Sequence, residues 1–332
     1  METDRPTLLT GATGFVGSAV ARALIARGHR LRVLVRPTSD RRNLADLDVT
    51  PVLGDLTDPA SLVRAAEGCR YVVHVAADYR IWVPEPDAMR RANIDGTVAT
   101  LRAAQAVGAE RIVYCSSVAA LGLTADGTPA DETTPVDPAA LVSVYKRSKY
   151  EAEQAALELA RQGAPVVIVN PAAPVGPRDI KPTPTGRMIL DAAAGRTPAY
   201  VDTGLNIVHV DDVAEGHILA LERGRLGERY ILGGENLTLQ ALLTLVAQVV
   251  GRQPPTIRLP LPALWPVAVA MEALGRISRF EPRLTTDTLR MAQKKMFFSS
   301  AKAMQELAYA PRPARRAIED AIAWLRAERR LR

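Results

Sequence analysis

Over the first half of the chain, short apolar runs alternate with longer stretches in which apolar residues recur every three or four positions. The runs Thr7–Thr10, Leu31–Val35, Val49–Leu53, Tyr71–Val75, Arg111–Cys115 and Pro165–Val169 predict strands, the first of them buried. Phe15–Arg27, Asp87–Val107 and Leu141–Gln162 predict helices; Gly28 closes the first, and Gly163 with Pro165 stops the third. Strict strand–helix alternation means an α/β protein with a doubly wound parallel sheet. After Asn170 the composition shifts: prolines crowd Pro171–Pro184 and the alternation is lost. The expected organisation is therefore a sheet domain over residues 1–170 and a smaller mixed domain over 171–332 that returns some segments to the first. Within that second part Leu205–Val210 and Tyr230–Leu232 predict strands. Asp212–Arg223 and Thr238–Val250 predict helices, with His209–Asp212 read as a strand end and helix cap.

The first strand runs into Gly11-Ala12-Thr13-Gly14-Phe15-Val16-Gly17, and a helix follows at once. Strand, glycine turn and helix in that order form a dinucleotide fingerprint, which makes the expected fold Rossmann-type. The glycines allow a tight turn and close backbone approach, and the pyrophosphate sits against the N–H groups that open the helix. Arg36 ends the second strand, where an NAD-selective site places a carboxylate for the ribose hydroxyls; a guanidinium suits a 2′-phosphate instead. Arg41 and Arg42 follow closely enough to assist, so NADP(H) is expected over NAD(H). Asp55, before Leu56, is either an acceptor for the adenine amine or a turn former. Val75, Ala76 and Ala77 end the fourth strand with side chains small enough for a flat cofactor to lie against the backbone. His74 reads as a core histidine.

Tyr145 and Lys149 stand four residues apart in a predicted helix, so they share a face. An ammonium beside a phenol favours the phenolate and is expected to lower its pKa, making the tyrosine a usable acid and base. Ser116 and Ser117 lie at the C-terminal end of the fifth strand, the edge where open α/β sheets bind ligands, and a hydroxyl there can hold a carbonyl oxygen. Tyr79 and Trp82 fall in a proline-bearing loop over the strand ends, where they either wall a substrate pocket or simply pack.

Together, Gly11-x-x-Gly14-x-x-Gly17, Asp55-Leu56, Asn93-x-x-Gly96-Thr97, Ser116-Ser117 and Tyr145-x-x-x-Lys149 have the order and spacing of the extended short-chain dehydrogenase/reductases, which nearly the whole chain resembles. The resemblance implies that Tyr145 exchanges the proton, Lys149 holds the nicotinamide ribose, Ser117 binds the reacting oxygen and Asn93 supports the site's backbone. Ser117 is preferred to Ser116 because Gly122 lies five residues later, as in the family pattern. It also implies a cofactor cradle that includes Ser116 and Pro171, and a substrate site reaching Val118 and Ala173. Arg36–Asp40 is similar to dihydroflavonol-reductase-like enzymes. Asn170–Gly186, His209–Val213 and Lys294–Lys302 are similar to bacterial hopanoid-associated sugar epimerases, which implies a sugar-like, polyol or lipid-linked substrate. Three residues depart from the pattern. Ala173 replaces the asparagine that binds a sugar-nucleotide diphosphate, Val118-Ala119 replace the Asp-Glu pair of 4,6-dehydratases, and Arg36 replaces an acidic residue. These departures favour a freely exchanging NADP(H) reductase over an epimerase that works by transient oxidation. A non-enzymatic dinucleotide sensor is the remaining reading, disfavoured by the presence of Ser117, Tyr145 and Lys149 together.

Composition narrows the setting. The 332 residues are 48% hydrophobic with a net charge of +6, and the basic excess is scattered, with no aromatic-interleaved module for nucleic acid. Cys69 and Cys115 form no disulfide framework, and four scattered histidines give no metal signature. The amino terminus opens into a strand without a leader, so a cytoplasmic protein is expected. Leu261–Ile277 is apolar but interrupted by Pro262 and Pro266, too short and broken to span a bilayer. Near the end, Arg315, Arg316, Arg326, Arg329, Arg330 and Arg332 accompany Ile318, Ile322 and Leu325; this is read as an ordinary packed helix, the alternative being peripheral membrane contact. Pairing into a homodimer through helices such as Asp87–Val107 and Leu141–Gln162 is a further expectation from the resemblance.

Overall fold

A computed structural model describes residues 5–78, 86–141, 143–278 and 284–331. The chain opens with β1 (Thr7–Thr10), α1 (Phe15–Ala26), β2 (Leu31–Val35), β3 (Thr50–Leu53), α2 (Pro59–Ala66) and β4 (Tyr71–His74). One helical stretch then comprises α3 (Pro86–Arg90), a π turn (Arg91–Asp95) and α4 (Gly96–Ala106), before β5 (Arg111–Cys115), α5 (Val144–Arg161) and β6 (Val166–Pro171). The second half contains β7 (Ala173–Val175), α6 (Pro184–Ala193), β8 (Ala199–Tyr200), β9 (Gly204–His209), α7 (Val210–Arg223) and β10 (Arg229–Leu232). It continues with β11 (Glu235–Thr238), α8 (Leu239–Val250), β12 (Ile257–Arg258), α9 (Leu261–Ser278), α10 (Thr286–Ala292), β13 (Lys295–Met296), α11 (Ala301–Leu307) and α12 (Ala314–Ala327).

Seven parallel strands form the large sheet in the order β10-β6-β5-β4-β1-β2-β3. Val33, Val73, Val113 and Val167 face one buried layer with α1 and α7; Val72, Ile112, Tyr114 and Ile168 face the other with α2, α4 and α5. The inner strands are covered on both faces, which explains why they read as continuous apolar runs, whereas the edge strand β3 is mostly exposed, Leu53 included. The strand order reverses between β1 and β4, and that switch point opens a crevice at the C-terminal edge. The chain returns to this sheet after residue 171: α7 packs beside α1, and β10 pairs with β6. The smaller layer is built on β9, flanked by β11, β13 and β7, with α6, α8 and α12 closing its core.

Two predicted elements differ in detail. The expected single helix over Asp87–Val107 contains the π turn, whose extra residue re-aims the buried Asn93. The prolines do not break the apolar 261–277 segment, and α9 runs through both. Pro262 lies in the first turn, where no intrahelical donor is needed, and Pro266 forfeits one bond. Among the described residues no helix is long and apolar enough to cross a membrane. In α12, Ile318, Ile322 and Leu325 are buried against the smaller core, so the apolar face that a membrane would require is already covered.

Candidate active site

Close packing at the switch point begins with two glycines. Gly11 has φ +77°, and a Cβ there would lie 2.6 Å from the main-chain nitrogen of Ala76. A Cβ on Gly17 would lie 2.0 Å from the Gly11 carbonyl oxygen. Gly14 caps α1 and donates its N–H to Gly11 at 3.0 Å. α1 has neither a side-chain cap nor an acidic residue in its first turn, so its opening N–H groups face the crevice as anion donors. Phe15 is buried beneath the turn, while Thr13 and Val16 are partly exposed. The other wall is Val75–Ala77, tied back by Val75 and Ala76 N–H groups to the Thr10 carbonyl and hydroxyl, each at 3.3 Å. This cradle, with no room for a side chain and with open helix-end donors, fits a dinucleotide pyrophosphate.

Arg36 is exposed at the end of β2, its N–H bonded to the Ser39 hydroxyl at 3.1 Å, and Arg41 is exposed nearby. Arg42 instead wraps around the Asp40 carboxylate, with its shortest contact 2.6 Å. Asp55 fills the turn role: one oxygen accepts from the Thr57 N–H and hydroxyl at 2.9 and 2.7 Å, which holds its carboxyl below the usual range. Leu56 packs against the α2–α4 layer.

Ser117 follows β5 and opens a short 3₁₀ turn, Val118–Ala120, with Oγ accepting from the Ala119 N–H at 3.1 Å. With that lone pair engaged, the hydroxyl hydrogen is free to point elsewhere, and the Ser117 hydroxyl favours the Tyr145 phenolate. Lys149, one turn further along α5, is buried and donates to the Cys115 carbonyl at 2.9 Å and the Tyr114 hydroxyl at 3.5 Å. Its ammonium also lies over the Tyr114 ring, 5.1 Å from the centroid. The expected lowering of the Tyr145 pKa is corrected here. Burial dominates and raises the phenol above its ordinary value, while the Lys149 charge and the Ser117 hydrogen bond pull the other way.

Asn93 acts on the backbone around this cluster. Its Oδ1 accepts from the Asp78 N–H at 2.7 Å, and its Nδ2 donates to the Asp78 carbonyl at 2.8 Å and the Ser148 hydroxyl at 3.0 Å. Asp78, four residues past the end of β4, is thus tied through Asn93 to α5. His74 is a core residue, bonded to Thr10 at 2.7 Å and Thr97 at 3.1 Å, and burial pushes its pKa down to about 3. Ser116 is buried, donating its N–H to Val169 at 2.8 Å; Pro171 ends β6 and is buried as well. Val118 packs between two apolar clusters, and Ala173 sits in β7 against the smaller core. Tyr79 and Trp82 lie outside the described residues. Among the described residues no group of His, Cys, Asp and Glu could hold a metal.

Sequence reasoning missed three neighbours of the site. Tyr114 supports Lys149, and only its place in the buried β5 run hinted at that. Asn43 donates to the carbonyls of Thr13 and Arg178, each at 3.3 Å, tying the glycine turn to the loop after β7; nothing in its polar surroundings signalled this. Asn170 bonds the Ser117 carbonyl at 3.0 Å, and the signal was a polar residue closing an otherwise apolar strand.

A glycine cradle at the switch point, with Ser, Tyr and Lys side chains gathered at the adjacent strand end, is the architecture of an extended short-chain dehydrogenase/reductase. Residues 7–233 match the NAD dependent epimerase/dehydratase family, and the chain belongs to it. It is 43% identical over 324 residues to a putative dihydroflavonol 4-reductase of Synechocystis sp., covering 95% of this chain and 93% of that protein. It is 34% identical over 322 residues to sterol demethylase protein B of Methylococcus capsulatus, covering 96% and 98%. The crystal structure of gox2253 is 60% identical and superposes with a TM-score of 0.90 over 99% of this chain and 100% of that one. The protein is therefore an enzyme of the nicotinamide-dependent reductase and epimerase class, as the resemblance implied.

Proposed function

We propose that the protein is an NADP(H)-dependent oxidoreductase whose net reaction reduces a carbonyl to a secondary alcohol on a sugar-like, polyol or lipid-linked small molecule. The observation that carries the reading is the placement of Tyr145 and Lys149 on α5 where it packs against the turn opened by Ser117, at the sheet edge beside the glycine cradle. A substrate oxygen between the two hydroxyls accepts a hydrogen bond from Ser117 and the proton from Tyr145. The Lys149 charge then stabilises the phenolate left on Tyr145. Asn93 keeps the Asp78 backbone and α5 in fixed relation while this proton moves. The backbone of Ala76 and Ala77 would help hold a nicotinamide dinucleotide at this edge, and that group, when bound, would supply the hydride for the carbonyl carbon. The setting is a cytoplasm that keeps NADPH reduced.

Arg36, and secondarily Arg41, carry the preference for NADP(H). A charge-assisted hydrogen bond is worth about 1.5–3 kcal/mol. Arg36→Ala is therefore expected to lower the NADP/NAD affinity ratio by roughly ten- to a hundredfold. Dissociation constants for both cofactors check this, and an unchanged ratio removes Arg36 from the site.

Epimerisation by transient oxidation is the second reading, favoured by the family to which the chain belongs. It requires the oxidised intermediate to stay bound, turn over and take the hydride back on its other face. Ala173 lacks the polar group that would help anchor a diphosphate during that turn, which supports net reduction. Candidate substrates supplied with stoichiometric deuterated NADPH and followed by mass decide between them. Reduction consumes the cofactor and leaves deuterium in a product two hydrogens heavier; an inverted alcohol without cofactor consumption establishes the second reading instead.

A further inference from the structure

We infer that Asn170 is a positioning residue for Ser117, oriented by the buried Glu153 carboxylate in its ion pair with half-buried Arg229; this rests on the catalytic reading of Ser117 and Tyr145. On α5 Glu153 continues the spacing of Tyr145 and Lys149, so all three share one face. Its carboxylate is wholly buried. One oxygen accepts from Asn170 Nδ2 at 2.5 Å and the other from Arg229 Nη1 at 3.1 Å. Arg229 Nη2 donates in turn to the Glu132 carbonyl at 2.5 Å, and a Glu132 carboxylate oxygen accepts from the Ile231 N–H at 2.8 Å. The far end of this chain is thus fixed to β10.

Its near end is the Ser117 peptide. Asn170 Nδ2 also donates to the Ser117 carbonyl at 3.0 Å, beside the Ala120 N–H that reaches the same oxygen at 3.0 Å. Asn170 Oδ1 is buried and has no partner among the described residues. A flipped amide would set that oxygen against two acceptors, the Glu153 carboxylate and the Ser117 carbonyl, so the orientation follows from its neighbours. What the position uses is therefore the amide's pair of donors. Lys149 holds the Cys115 carbonyl two residues earlier, so the strand end is gripped from α5 directly and through Asn170. The grip sets where the Ser117 hydroxyl points, and that hydroxyl favours the Tyr145 phenolate.

The test is a cycle of Asn170→Ala and Ser117→Ala in the full-length enzyme, using a carbonyl substrate turned over by the wild type. A misplacement of about 1 Å at a reacting group can cost ~10²-fold. Asn170→Ala should lower kcat by roughly 10- to 100-fold with the NADPH dissociation constant unchanged. In alcohol oxidation the limb assigned to Tyr145 should move to higher pH, because a displaced hydroxyl stabilises the phenolate less. In the Ser117→Ala background the second substitution should cost less than about twofold, since it acts through a group already gone. Equal losses in both backgrounds, or an unmoved pH limb, overturn the inference. Where Asn170→Ala does not fold, the double variant Asn170→Asp, Glu153→Gln decides: it restores a donor–acceptor pair inside the network but no donor to Ser117, so full activity in it overturns the proposal. Tyr145→Phe is run alongside. Activity retained there removes the catalytic reading itself, whereas inactivity there with normal Asn170 variants removes only this inference.

Discussion

Tyr145→Phe is expected to lower turnover of a carbonyl substrate by ~10²- to 10⁴-fold, the range that general acid catalysis contributes, while NADP(H) still binds. The substitution keeps the ring and its packing on α5 and removes only the oxygen that donates the proton. The cofactor cradle is built from β1, α1 and the end of β4, so it should survive unchanged. The pH behaviour has a definite sign. Burial raises the phenol above its ordinary value of 10.0. The neutral acid needed for reduction is then present throughout about pH 6–9, and reduction should not decline there on account of Tyr145. Oxidation of the alcohol needs the phenolate, so that direction should accelerate as pH rises. Stopped-flow turnover in both directions, with cofactor titration by fluorescence, checks both statements. Near-normal turnover in the phenylalanine variant sinks the catalytic assignment.

The inner strands were legible because their apolar runs are short and bounded by breakers, unlike the longer periodic helices around them. The glycine turn was legible because a Cβ at Gly11 or Gly17 would meet backbone at 2.6 and 2.0 Å, so any other residue there forces the turn or the helix to shift. Ser117, Tyr145 and Lys149 were legible as a spacing, and the structure brings them to one strand end. Their electrostatics were not, because desolvation of Tyr145 depends on what covers it, and those elements are distant in sequence. The π turn at Arg91–Asp95 has no residue signature; it becomes visible only when Asn93 is seen to meet Asp78 and Ser148. The ion pair of Glu153 with Arg229 joins residues 76 positions apart and surfaces only with the sheet order that sets β10 beside β6. The carboxy-terminal helix reads as an ordinary packed helix, and Ile318, Ile322 and Leu325 are buried in the smaller core.

Gly17→Ala is expected to abolish productive dinucleotide binding, and it tests the cradle independently of the chemistry. The added Cβ would lie 2.0 Å from the Gly11 oxygen and 2.6 Å from the Gly11 carbonyl carbon, both backbone atoms that no rotamer change can move aside. Either α1 shifts outward or the turn opens. Gly11 is itself confined, with φ +77° and Ala76 close against it, so the helix must yield. Overpacking of this kind costs typically about 1–3 kcal/mol of stability, which α1 can absorb because Ala19, Val20 and Leu24 still anchor it in the large core. The protein should therefore fold with a lowered Tm. The opening N–H groups of α1 would no longer converge on the pyrophosphate, and a displacement of about 1 Å at such a site can cost ~10²-fold. NADP(H) and NAD(H) affinities should fall together, since both share the pyrophosphate, in contrast to the selective loss expected for Arg36→Ala. Calorimetric titration with both cofactors, beside a thermal melt without them, reads the two effects separately. A folded Gly17→Ala variant that binds either dinucleotide at wild-type affinity would place the pyrophosphate elsewhere on the molecule.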